Sequence, residues 1–180
     1  MRNDWLDLNP AKDACIFRNA VHRCERFDHL IPAYDLIVLN TGAHEQPNMT
    51  RSVHDAASFV AMYAHPSAVR VFRNTAPGHV GCNQATAPFT SMEAAEAETR
   101  KHPWYDALSR PAQNAIAAEL VSKHGFILLD IYRSTVQRPD RHWGGNDCLH
   151  YCIPGPVTTW VDMFATLVES AVRHRAYVLT

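Results

Sequence analysis

The sequence predicts a three-layer α/β/α sandwich around a mainly parallel sheet. Residues 34–40, 68–73 and 126–131 are near-continuous apolar runs of strand length, the pattern of parallel strands buried on both faces. Segments with apolar residues at helical spacing lie between and after them. Each of the three runs feeds a polar, histidine-containing loop. Strands alternating with helices define this fold class, and 180 residues fit a single domain spanning 1–180.

Residues 1–33 are the least patterned. Pro10 suits the first turn of a helix with Asn9 as its cap, and Phe17, Ala20, Val21 and Cys24 recur at helical spacing, so a helix is expected over about 10–25. The first strand, 34–40, ends in Thr41-Gly42-Ala43-His44-Glu45. A helix over about 52–64 follows, with Val53, Ala56, Ala57, Val60 and Tyr63 on its apolar stripe and His65-Pro66 as its stop. The second strand, 68–73, runs into the loop from Asn74 to Cys82, and an irregular stretch is expected from there to about 103. A helix over 104–124 is stopped by Gly125. After the third strand, 126–131, a long loop over 132–155 carries Arg138-Pro139-Asp140-Arg141-His142 and Asp147-Cys148-Leu149-His150-Tyr151-Cys152-Ile153-Pro154-Gly155. The last helix is expected over about 156–173, with Val157, Trp160, Val161, Phe164, Leu167 and Val168 at helical spacing.

Composition narrows the function. The net charge is −1 with basic residues scattered, so a nucleic-acid surface is not expected. No apolar run reaches the roughly 18–20 residues of a membrane span, and Met1-Arg2-Asn3-Asp4-Trp5 lacks a signal-peptide core. No membrane contact from this chain is therefore expected. The five cysteines are an odd number, so at least one thiol is unpaired or finds its partner elsewhere.

In open α/β sheets, ligands bind beyond the carboxyl ends of the strands, and three polar loops on one edge can converge there. Asp147 and His150 suit a base and its orienter: a carboxylate fixes one imidazole nitrogen and leaves the other to take a nucleophile's proton. Asn40 and Gly42 could stabilise an oxyanion. Arg73 and His79 follow the second strand, where a guanidinium can bind a substrate carboxylate or hydroxyl. A zinc site built from His79, Cys82, His142, Cys148 and Cys152 is the competing reading, although no paired C-x-x-C modules occur. No cofactor is called for.

Taken together, these loops resemble the PC-esterase family of the SGNH/GDSL hydrolase superfamily, which includes the trichome-birefringence-like polysaccharide O-acetyltransferases of plants. Residues 147–155 followed by Trp160 resemble its D-C-x-H-W-C-L-P-G…W block, with Tyr151 in the tryptophan position. Residues 35–44 resemble D-V-L-V-F-N-T-G-H, with Ala43 inserted before His44. Residues 71–79 resemble V-F-x-R-T-x-x-P-x-H, and 138–142 resemble R-x-D-x-H.

The resemblance implies Asp147 and His150 as triad acid and base, with Asn40 and Gly42 near the oxyanion or substrate site. It implies a Cys82–Cys148 disulfide, and Cys152 paired with Cys15 or Cys24. It implies acyl transfer to, or hydrolysis from, sugar hydroxyls, with a carbohydrate or glycoconjugate acceptor, an acyl donor and a secretory-pathway location. One part of the pattern is missing. The family's nucleophilic serine sits in a G-D-S block on the first strand, whereas here no serine precedes Ser52 and no G-D-S occurs. The chain is therefore expected to be a fragment lacking that strand, with a catalytically inactive carbohydrate-binding relic as the alternative.

Overall fold

The computed structural model describes residues 5–7, 15–18, 21–24, 31–40, 49–101, 109–145 and 147–178. Its centre is a three-stranded parallel sheet of β4 (Leu36–Asn40), β5 (Val69–Arg73) and β6 (Ile127–Leu129), with β5 in the middle. Asn40 lies opposite Arg73, and Arg73 opposite Leu129, so the three strands end level at one carboxyl edge.

The pleat sends alternate side chains of β5 into different cores. Phe72 joins Val53, Ala57 and Val60 of α1 (Met49–Tyr63) and Ala117 and Val121 of α3 (Ser109–Ser122). Val69 and Val71 join Leu129, Ile131 and the inner face of α5 (Pro156–Val178), which supplies Trp160, Phe164, Leu167 and Val168. Each fully buried valine, leucine, isoleucine or phenylalanine among them contributes about 1.5–3 kcal/mol of transfer free energy. Helices pack on both faces, which makes the architecture a three-layer α/β/α sandwich. The expected burial on both faces holds for β5 but not for β4, which has no fully buried residue, or for β6, which buries only Leu129.

At the end of α3, Gly125 has φ +72°, and a Cβ there would meet the Arg70 guanidinium at 3.4 Å. Glycine relieves both constraints. Arg70 donates from Nη1 to the carbonyl of His124 and closes the same helix end.

Three expectations are corrected. The helix expected over 10–25 is a hairpin, β2 (Cys15–Arg18) with β3 (Val21–Cys24), and β1 (Trp5–Asp7) adds to β2. Four apolar residues at helical spacing did not outweigh the strand preference of Ile16 and Phe17 before a two-residue link that starts with Asn19. The stretch expected to be irregular up to 103 contains α2 (Met92–Arg100), whose cap Ser91 accepts the amide of Ala94 at 3.1 Å. The loop expected over 132–155 is largely ordered. It holds α4 (Ile131–Thr135), a 3-10 turn at Pro139–Arg141, and the antiparallel hairpin of β7 (His142–Gly144) and β8 (Asp147–Tyr151). The Asp-Cys-Leu-His block therefore sits on a strand, not in a loop. The helix expected over 104–124 is seen as α3, with 102–108 outside the described residues.

Candidate functional site

The site is assembled from the carboxyl edge of the sheet and the β7–β8 hairpin above it. Asn74, immediately after β5, is the buried joint between the end of β5 and the start of α4. Its side-chain oxygen accepts the amides of Ile131 and Tyr132 at 2.8 and 3.1 Å, and its amide nitrogen donates to Asp130 at 2.7 Å. Asp130 in turn accepts the amide of Arg133 at the start of α4. One residue further on, Thr75 has both backbone groups held by the side-chain amide of Asn114 at 3.0 Å each. Sequence reasoning missed Asn74, Asn114 and Asp130. Their roles depend on which buried backbone groups need partners, and no local pattern reports that.

The hairpin is fastened to this loop at four points. Cys82 and Cys148 form a disulfide. The His79 amide donates to the Cys148 carbonyl at 3.1 Å, and the Tyr151 hydroxyl donates to the Pro77 carbonyl at 2.5 Å. His79 Nδ1 lies 2.7 Å from His142 Nε2. Tyr151 supplies a hydroxyl where the family pattern has tryptophan, and the hydroxyl is what reaches Pro77.

Asp147 and His150 are in direct contact. Asp147 Oδ1 accepts the amides of Leu149 and His150 at 3.1 and 3.0 Å, which folds the carboxylate back along its own strand. Oδ2 then lies 2.7 Å from His150 Nδ1. The carboxylate accepts only, so Nδ1 carries the proton and Nε2 presents its lone pair outward. The His150 side chain is 75% exposed and that of Asp147 40%, and no described residue bonds Nε2. The His150 amide, then its ring, then the Leu149 amide hold the Asp147 carboxyl down at about 2. A depressed carboxyl gives its stabilisation above the ordinary value of 3.8 and loses it as pH falls through about 2, so the pair stays intact at neutral pH.

The other expected residues divide. Asn40 and Arg73 are neighbours, with the Asn40 side-chain amide donating to the Arg73 carbonyl at 3.0 Å. The Arg73 guanidinium lies over the Trp160 ring, 5.8 Å from its centroid. Burial pulls its pKa below the usual value, and no carboxylate among the described residues pairs with it. Trp160 donates to Thr135 Oγ1 at 2.8 Å and packs edge-to-face on Tyr151, the residue after His150. This chain of contacts joins Arg73 to the His150 strand. His79, expected at the substrate side, is 3% exposed, and protein groups hold both its ring nitrogens. Gly42 lies outside the described residues, as does His44.

The disulfide consumes Cys82 and Cys148, which the zinc reading needed as thiolates, and no set of three metal-ligating side chains clusters among the described residues. The expected pairing of Cys152 with an N-terminal cysteine is not formed. Cys152 is a free thiol whose Sγ donates to the Arg141 carbonyl at 3.1 Å, while Cys15 and Cys24 lie opposite each other in the β2–β3 register.

The chain is a three-layer α/β sandwich that carries an exposed Asp–His pair on its β7–β8 hairpin. The family model that matches residues 40–167 is PC-Esterase, the GDSL/SGNH-like acyl-esterase family found in Pmr5 and Cas1p, and the chain belongs to that family. Among its relatives, the protein trichome birefringence-like 25 of Arabidopsis thaliana is 28% identical over 152 residues, covering 68% of this chain and 33% of the relative. Xyloglucan O-acetyltransferase 3 of Populus trichocarpa is 38% identical over 54 residues, covering 24% of this chain and 14% of the relative. Xyloglucan O-acetyltransferase 2 of Arabidopsis thaliana is also 38% identical over 54 residues, with 24% and 13% covered. The chain thus spans at most about a third of the length of these curated relatives.

Proposed function

We propose that this chain is the acid–base half of a carbohydrate O-acyltransferase or O-acyl esterase of SGNH type. The observation that carries the reading is the Asp147–His150 contact, with Nδ1 on the carboxylate and Nε2 free to receive a proton. The nucleophile is a serine in a Gly-Asp-Ser block outside these 180 residues. His150 Nε2 takes the serine proton as Oγ attacks the acyl carbonyl, and returns it to the departing alkoxide of the donor. In the second half, His150 Nε2 takes the proton of a sugar hydroxyl or a water as its oxygen attacks the acyl-serine carbonyl, and gives that proton to the departing serine Oγ as the ester bond breaks.

Asn40 and Gly42 are assigned to the oxyanion or substrate side, and Arg73, which pairs with no carboxylate among the described residues, to substrate hydroxyls or the donor. The acceptor class follows from the xyloglucan O-acetyltransferases among the relatives. The disulfide fits an oxidising compartment, and a secretory or Golgi location is part of the same proposal. No helix among the described residues is long and apolar enough to cross a membrane. Among the described residues both outer strands, β4 and β6, lack a neighbour on one side, and Val38, Ile127 and Leu128 are 47%, 38% and 37% exposed, which is compatible with further strands in the sheet.

Hydrolysis of p-nitrophenyl acetate tests the reading. A polypeptide carrying this chain together with the serine block is expected to turn over the ester, and the 180-residue chain alone is not. His150-dependent turnover by the chain alone would place the nucleophile inside it. Binding of xyloglucan without turnover by the longer polypeptide would favour the inactive relic.

A further inference from the structure

Behind the exposed Asp147–His150 pair lies a second pair of histidines, buried and unused by the proposed chemistry. His79 and His142 are 3% and 8% exposed. Their rings meet through Nδ1 of His79 and Nε2 of His142 at 2.7 Å. Their outer nitrogens face backbone carbonyls: His79 Nε2 lies 2.7 Å from the Val136 oxygen, and His142 Nδ1 lies 3.0 Å from the His150 oxygen. We propose that His79 and His142 are positioning residues for His150, forming a proton-dependent bar between the Val136 and His150 carbonyls that grips the His150 strand only when the two rings share three protons. This deepens the acyl-transfer reading and rests on it for its functional meaning.

The proton count follows from donor and acceptor chemistry. A carbonyl only accepts, so each outer nitrogen needs its own proton to bond. Two bare ring nitrogens at 2.7 Å repel, so the inner contact needs one as well. Three links require three protons, while two neutral imidazoles carry two. In the neutral pair, one outer link is therefore open. It opens at the less buried of the two outer bonds, which is the His150 end. The Val136 end is sealed, and an unmade bond there would leave a buried carbonyl without a partner. Taking up a third proton from solvent closes the His150 link and makes the pair a single cation.

The surroundings set when this happens. Burial pushes both rings down, His79 to about 4. Asp140 favours the charged form, but its carboxylate already receives Arg138 at 2.9 Å and Arg141 at 3.1 Å. Asp147 and His150 on β8 act on His142 in opposite senses. The Tyr151 hydroxyl, 3.3 Å from His79 Nδ1, is uncharged and donates to Pro77. A folded-state pKa below the unfolded one means that the pair is neutral at neutral pH, and that the bar closes only as pH falls below the ordinary histidine range.

Nuclear magnetic resonance on the isotope-labelled 180-residue chain tests this. Ring nitrogens and backbone amides are followed from about pH 3 to about pH 8. The His79 and His142 rings are expected to move in one common step. The Tyr151 amide, which shares its peptide bond with the His150 carbonyl, is expected to move in that same step.

In His142→Asn, the side-chain amide can donate to the His150 carbonyl at every pH, so the Tyr151 step is expected to vanish. His142→Phe removes the donor and is expected to leave the Tyr151 amide at its neutral-pH position. Independent ring midpoints, or a Tyr151 amide that ignores the step, would overturn the bar whatever the enzyme does. These signals do not require turnover: if the common step appears but ester hydrolysis survives His150→Ala, the acyl-transfer reading falls and the bar stands as a structural device.

Discussion

Replacing His150 with alanine in the serine-completed enzyme is expected to lower kcat for acetyl-ester hydrolysis by about 10⁴- to 10⁶-fold, the scale on which triad histidines are lost. The fold should not change, because the ring is 75% exposed and its bonds are confined to Asp147. Asp147→Asn should cost about 10⁴-fold, because an amide can donate to Nδ1 and stabilise the wrong tautomer. Residual activity is expected to be similar in the double variant, since the two residues act as a unit. The pH profile adds a check with a defined sign. Asp147 titrates at about 2, so protonation of this carboxyl should not produce an acid limb at pH values above its ordinary 3.8. Steady-state rates for the two single variants and the double variant decide whether the pair acts together.

Breaking the Cys82–Cys148 disulfide is the second large effect. It closes a chain segment 66 residues long, and the loop-entropy relation gives about 4 kcal/mol for a loop of that size. Cys82→Ser with Cys148→Ser is therefore expected to shift the denaturant midpoint strongly downward, as is reduction of the wild type. The bond also holds the β7–β8 hairpin on the loop after β5, beside the His79–Cys148 and Tyr151–Pro77 backbone links. Loss of stability should thus be accompanied by a fall in kcat. Urea unfolding with and without reductant measures the first effect. A midpoint indifferent to reductant would show that the remaining links suffice.

The sheet was legible because β4, β5 and β6 are near-continuous apolar runs, although that uniformity overstated the burial of the outer strands, where Val38, Ile127 and Leu128 are exposed. Helix α1 was legible from its stripe, and α5 from Trp160, Phe164 and Leu167. The N-terminal hairpin was not, because Phe17, Ala20, Val21 and Cys24 fit a helical period as well as they fit two short strands. Helix α2 was readable in principle from Ser91 and the alanine- and glutamate-rich run after it. The β7–β8 hairpin was readable from Gly144-Gly145, both at positive φ.

In the site, the Asp147–His150 pair could be read because both partners lie within four residues. The work of Asn74, Asn114 and His142 could not, because each answers a backbone group or ring far away in sequence. His142 was weighed as a metal ligand and as the histidine of the R-x-D-x-H resemblance, and its partner is another imidazole.

The most direct test of the central claim is to label the longer, serine-containing polypeptide with a fluorophosphonate and map the adduct by mass spectrometry. The account predicts an adduct on the serine of a Gly-Asp-Ser block outside these 180 residues, and its loss in His150→Ala. An adduct on a residue within this chain, or labelling that persists without His150, would contradict it.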